Sequence, residues 1–177
     1  MDFKEVISKR QSCRNYLDKA VKHDDLVEIL KIAQNMPSAC NSQPYRFIVA
    51  EGETAQAIAP LLSSEDRPIN KWATDVPAFM VACETRAKLK PGVTCDSQHY
   101  AQMDMGLMSA GVVLTATSMG LATCIIGYFN EDKIRKLLNI PEEVTIRQII
   151  AFGYAKDENV REKIRKPFDE FVGFNKY

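Results

Sequence analysis

Residues 10–14 read Arg-Gln-Ser-Cys-Arg, and they carry the first chemistry the chain offers. In extended backbone, side chains alternate, so Arg10, Ser12 and Arg14 share one side. Two guanidinium groups flanking a hydroxyl can hold a phosphate through charge-assisted, partly bidentate hydrogen bonds. A solvated basic turn is the plain alternative. A second stretch, residues 37–44, is Pro-Ser-Ala-Cys-Asn-Ser-Gln-Pro. Small residues there let a planar ligand approach the backbone, and the amides of Asn41 and Gln43 can pair with a heterocycle. Ser and Asn are equally ordinary turn formers. The third stretch is a basic tail with Arg161, Lys163, Arg165 and Lys166 ahead of Pro167. It reads as a solvated run or as a segment that returns to complete an anion site. His23 and His99 are the only histidines, and neither has an evident carboxylate or cysteine partner. Both read as surface or packing residues.

Bulk properties narrow the classes. A chain of 177 residues fits one domain, large enough to bury roughly 70% of the surface its unfolded form exposes. Lys+Arg and Asp+Glu both number 23, so no global field draws in nucleic acid or an anionic membrane, and any basic site must be local. The five cysteines are dispersed and odd in number, without a C-x-x-C pair. That pattern disfavours a disulfide framework or a zinc site. No apolar run approaches the roughly 20 residues that span a bilayer. The N-terminus lacks the apolar core of a signal peptide. These features point to a soluble, cytoplasmic protein.

The elements that must position the candidate residues follow from periodicity. Phe3, Val6 and Ile7 mark a short helix with Asp2 as N-cap, leading into Arg10. Leu26, Ile29, Leu30 and Ala33 form the stripe of a second helix that Pro37 stops. Strands are expected at 46–50, 77–83, 123–127 and 147–153, with Gly52 closing the first and a short helix at 54–62. Trp72, after an irregular stretch, suits a half-buried core position, and a loop is expected at 87–96. Residues 97–119 form the longest helical pattern, apolar on nearly all sides with Gly106, Ala110 and Gly111 among its small residues. Such a helix belongs in the centre of the fold or in a subunit interface. Asn130 caps a further helix. Phe168, Phe171, Val172 and Phe174 in the tail call for burial. No G-x-G-x-x-G follows a strand, which disfavours a Rossmann site. The class is α+β, a central mixed or antiparallel sheet flanked by helices, with a long buried central helix.

The order of these pieces resembles the nitroreductase family of FMN-dependent oxidoreductases. The resemblance rests on R-x-S-x-R at residues 10–14 and P-S-x-x-N-x-Q-P at 37–44. It rests further on Gly120-Leu121 through Cys124 to Ile126-Gly127 after the long helix, and on Gly153-Tyr154 followed by Lys163-Ile164-Arg165-Lys166-Pro167. It implies a nitroreductase-like homodimer with FMN at the subunit interface, each chain a single domain over 1–177. The tail from about 156 to 177 would pack on the partner subunit. Arg10, Ser12 and Arg14 would hold the phosphate and ribityl end, joined by Lys163 and Arg165. Ser38, Asn41 and Gln43 would reach the isoalloxazine from the partner. Gly127 would offer backbone groups near the reactive edge, and Asn70 is a looser match to an amide that touches the ring.

The implied activity is ping-pong hydride transfer from NADH or NADPH, through FMN, to a nitroaromatic, quinone or similar acceptor. No metal and no catalytic acid or nucleophile from the chain is required, because the flavin carries the chemistry. The alternatives are a non-catalytic FMN-binding protein for storage or redox sensing, and a dehalogenase or enone reductase of the same fold. Three positions depart from the family pattern: Gln11 for an Arg, Tyr45 for a Trp and Ala122 for a Gly. The chain is also short for the family, which implies an open site of broad tolerance.

Overall fold

The structure, a computed structural model, describes residues 1–92 and 97–177. The end of the loop expected at 87–96 therefore lies outside the described residues. Four strands, β1 (Tyr45–Glu51), β2 (Ala78–Glu84), β3 (Ala122–Ile126) and β4 (Thr145–Gly153), form a sheet in the order β1-β2-β4-β3. Each neighbouring pair is antiparallel, so the sheet is antiparallel rather than mixed. The helices are α1 (Phe3–Lys9), α2 (His23–Ala33), α3 (Gly52–Ile58), α4 (Ser97–Ser118), α5 (Glu131–Leu137) and α6 (Phe168–Phe171). None of the described helices is long and apolar enough to cross a membrane.

Burial explains the placement of the helices. β2 is buried along its whole length, yet its side chains still alternate between two layers, as a pleated strand requires. Phe79, Val81 and Cys83 enter one core with Ile149 and Ala151 of β4, Ile58 of α3 and Ile134 of α5. Met80 enters the other with Ile150 and Phe152 of β4, Leu26 and Ile29 of α2, and Met108 and Val112 of α4. Helices thus cover both sheet faces, giving the expected α+β architecture. α4 buries Met105, Met108, Val112 and Ala116. α4 is thus the long central helix expected, with one face leaving Met103 52% and Leu107 42% exposed. Gly120, at φ +80°, ends α4 by letting Leu121 N–H reach the carbonyl of Ala116 at 2.9 Å.

Several local expectations need amendment. Asp2 caps α1 in a reciprocal capping box with Glu5, but Phe3 and Ile7 stay exposed and only Val6 of that stripe is buried. Gly52 opens α3 at φ +54° rather than simply closing the strand. The helix expected at 54–62 becomes α3 and a 3-10 turn, Ala59–Leu62, that carries Pro60 near its start. β4 begins two residues early, and its register slips opposite Ala82 and Cys83. The extra residue is Arg147, whose Nε donates to the buried carboxylate of Glu84. Phe168, Phe171 and Phe174 are 68%, 77% and 74% exposed, so the burial they call for is not found within the single chain. His23 has a partner that spacing could not reveal, because Nδ1 lies 2.7 Å from a Glu51 carboxylate oxygen at the end of β1.

Gly153 shows how closely the N-terminal segment packs. A Cβ there would come 2.6 Å from Tyr16 Cδ1 and 3.0 Å from Pro77 Cδ. Tyr16 is fully buried, stacks on Trp72 at 6.0 Å, and donates its hydroxyl to the carbonyl of Cys13 at 3.1 Å. Trp72 is half-buried, as expected.

Two outcomes follow. Gly153→Ala should destabilise the protein by about 1–3 kcal/mol through overpacking, read as a lower denaturant midpoint; an unchanged midpoint would mean that Tyr16 moves aside freely. The Glu51 hydrogen bond and charge raise the His23 pKa above its ordinary 6.5. The stability linked to this pair is therefore complete below the unfolded imidazole's pKa and is lost as pH rises through the folded value. In an NMR titration, Glu51→Gln should return the His23 pKa towards the ordinary value.

Candidate functional site

The candidate residues are brought together by backbone pairing at the sheet edge. After α1, residue 12 pairs in parallel with Thr123 of β3, and Cys13 N–H donates to the Thr123 carbonyl at 2.9 Å. Leu17 N–H donates to Tyr154 at 2.8 Å and Lys156 N–H to Asn15 at 3.0 Å. Residues 12–17 are thereby held between the start of β3 and the exit of β4. The tail then doubles back across them. Gln11 Nε2 donates to the Asn159 carbonyl at 2.9 Å, and Arg161 donates to Gln11 Oε1 from its backbone N and its Nε, each at 3.2 Å. Arg161 Nη2 donates to the Ser12 carbonyl at 2.6 Å. The Lys163 ammonium donates to the carbonyls of Ile7, at 2.8 Å, and Ser8. Those carbonyls end α1, where a cation is favoured.

This arrangement makes a cavity of about 370 Å³ lined by Arg10, Ser12, Arg14, Arg161, Lys163 and Arg165. Neither Arg10 nor Arg14 has a side-chain hydrogen bond or ion pair among the described residues. Among the described residues, the one hydrogen bond from the Arg165 guanidinium goes to the adjacent Ile164 carbonyl at 2.8 Å. Glu162 also lines the cavity, yet it forms no ion pair with these cations among the described residues. Desolvation, then the charges of Arg165 and Arg10, hold the Lys163 pKa below its usual value. Such a crowd of cations without a counter-charge suits an anion with several acceptor oxygens. An adjoining cavity of about 460 Å³ shares Arg10, Lys163 and Arg165 and runs past Val113 and Leu114 to Ile125. Besides the cations, its polar lining is Gln148 and Ser109, and Gln148 donates to Ser109 Oγ. Together the two spaces accommodate a phosphate joined to a larger, partly apolar body.

The other candidates lie elsewhere in the chain. Ser38, Asn41 and Gln43 sit in the turn around Ala39–Asn41, where Cys40, Asn41 and Gln43 adopt φ of 53°, 53° and 46°. Ser38 Oγ accepts from Gln43 N–H at 3.0 Å, and Gln43 Nε2 donates to the Asn41 carbonyl and Oδ1 at 3.2 and 3.1 Å. None of the three lines either cavity. Their turn is tied to α4 by Asp104, 4% exposed, whose two carboxylate oxygens each lie 3.1 Å from Ala39 N–H. The sequence reading missed Asp104; the signal available was a lone acid inside an apolar helix. Asn70 donates its amide to the carbonyls of Leu62 at 2.9 Å and Tyr128 at 3.4 Å. It therefore stands beside the segment that follows Gly127. Gly127 itself is exposed just past β3, with open space where a side chain would be. Arg67 lies 4.8 Å over the Tyr128 ring and closes that side.

Cys124 is buried, and burial pushes its thiol above the usual range against the opposing pull of Arg14 and Ser12. A high thiol pKa leaves little thiolate. Among the described residues, no cluster of His, Cys, Asp and Glu could hold a metal ion.

Comparison with known proteins bears on what the site serves. The nitroreductase family profile matches residues 7–154. A Methanothermobacter thermautotrophicus protein provisionally named NADH dehydrogenase/NAD(P)H nitroreductase is 31% identical over 159 residues, covering 87% of this chain and 78% of that protein. The crystal structure of a nitroreductase family protein from Clostridium difficile superposes with a TM-score of 0.82 at 27% identity, over all of both chains. An Exiguobacterium sibiricum protein provisionally named a nitroreductase, solved in complex with FMN, shares the fold. Its TM-score is 0.85 at 22% identity, over 99% of this chain and 98% of that one. With the profile matching most of its length and a relative above 30% identity, this chain belongs to the nitroreductase family.

Proposed function

We propose that this protein is a cytoplasmic, FMN-dependent NAD(P)H oxidoreductase. It passes reducing equivalents from NADH or NADPH to a nitroaromatic, quinone or similar small acceptor by a ping-pong mechanism. The observation that carries this reading is the pair of unpartnered guanidinium groups, Arg10 and Arg14, sharing one cavity with Ser12, Lys163 and Arg165. The neighbouring trough along α4 supports a ligand that extends beyond its phosphate, as does the FMN complex of the Exiguobacterium relative.

FMN, when bound, supplies the hydride exchange itself. The chain's share is binding and orientation. Arg10, Arg14, Lys163 and Arg165 neutralise the phosphate, the Ser12 hydroxyl donates to it, and the backbone at Gly127 and the Asn70 amide border the ring. Ser38, Asn41 and Gln43 complete the site from a second copy of the chain. A homodimer of single-domain chains, 1–177, accounts for the open apolar face of α4 at Met103 and Leu107. It also accounts for the exposed Phe168, Phe171 and Phe174 in a tail that packs on the partner. Donor and acceptor then use the same open face in turn.

Anaerobic addition of NADH, then NADPH, to FMN-loaded protein should bleach the visible flavin band with one or both donors. A nitroaromatic or quinone should restore it. A band that persists with both donors would support a flavin-storage or sensing protein instead. Arg10→Ala and Arg165→Ala should each weaken FMN binding by about 1.5–3 kcal/mol, the worth of a charge-assisted hydrogen bond. Fluorescence titration checks this, and unchanged affinity in both variants would misplace the phosphate site.

A further inference from the structure

Arg161 and Gln11 stand together in the site with no role assigned by the reading above. The Arg161 guanidinium lines the same cavity as Arg10 and Arg14. It is gripped from two sides, by Gln11 Oε1 on Nε and by the Ser12 carbonyl on Nη2. Two of its five N–H donors are thus used, and the others remain available to a ligand. Glu162, the neighbouring carboxylate, does not pair with it. Gln11 makes three hydrogen bonds across a sequence separation of 148 to 150 residues, and all three go to Asn159 or Arg161. An uncharged amide suits this task because it accepts from the Arg161 backbone and guanidinium while donating to a carbonyl. A carboxylate would neutralise the cation, and a basic residue would repel it.

We infer that Arg161 is a further ligand of the anion bound in this cavity and that Gln11 is the positioning residue that aims it. The inference rests on the phosphate reading given above. It adds to Lys163 and Arg165 a third tail cation, one held in place before the anion arrives.

The test compares FMN with riboflavin, which lacks the phosphate, by flavin fluorescence titration of the full-length protein. Arg161→Ala should weaken FMN binding roughly ten- to a hundredfold and leave riboflavin affinity unchanged, which also reports an intact fold. Arg161→Lys, which keeps the charge but not the fork, should fall between. Gln11→Ala should lower FMN affinity in the same direction but less. The Gln11→Ala/Arg161→Ala double variant should lose less than the sum of the two single losses, because Gln11 acts in part through Arg161. Unchanged FMN affinity in Arg161→Ala, or equal losses for FMN and riboflavin, would overturn the role of Arg161. Strictly additive losses would overturn that of Gln11. If the unaltered protein binds FMN no more tightly than riboflavin, the phosphate reading itself fails, and this inference with it.

Discussion

Like charges held close without a counter-charge are the constraint on which the rest of this structure turns. Arg10, Arg14, Arg161, Lys163 and Arg165 line one cavity, and its one acidic neighbour, Glu162, pairs with none of them among the described residues. Two like charges about 4 Å apart repel by roughly 1 kcal/mol in water and more where solvent is excluded. The chain is electrically balanced as a whole, so the cluster is a local concentration that the fold sustains. The arginines and lysine come from opposite ends of the sequence. What holds them together is hydrogen bonding of backbone and amide rather than ion pairing: Cys13 to Thr123, Lys156 to Asn15, Gln11 to Asn159. An anion arriving there finds its charge-assisted donors already gathered, so little ordering remains to be done on binding.

The sheet supplies the rigidity this requires. β2 and β4 are central strands whose side chains enter two separate cores, so neither can slip in register without turning apolar residues to the wrong layer. β3 is the edge strand beside β4, and residue 12 bridges to it. Tyr16, packed against Gly153 and Trp72, fixes the far end of the same segment. The phosphate-type motif is thus stretched between two fixed points on a buried scaffold, an arrangement suited to a preorganised site.

The parts of the chain that remain open are chemically distinct from the parts that are closed. Met103 and Leu107 on α4, and the aromatic residues of the tail, leave apolar surface exposed. The Ser38 to Gln43 turn, anchored to α4 through Asp104, lies outside the cation cavity of its own chain. Under the proposed function, both features belong to the same second subunit: its α4 covers the apolar face and its turn completes the ring end of the site.

Much of this was legible in the sequence. The α+β class followed from the order of the elements, the strands from short apolar runs bounded by turn residues, and the long helix from the length of its apolar stretch. The nomination of Arg10, Ser12, Arg14, Lys163 and Arg165 rested on residue type and on the family resemblance. Only the tertiary structure decided how those residues meet. Gln11, Arg161 and Asp104 act through contacts between residues 65 to 150 positions apart, and His23 finds Glu51 from 28 positions away. Local propensity carries no signal for such pairs, because hydrogen-bond geometry depends on where the backbone returns in space. The tail was ambiguous for the same reason. A run of Arg and Lys can be solvated or docked, and its docking came from the partners folded against it, Gln11 and the free carbonyls that end α1.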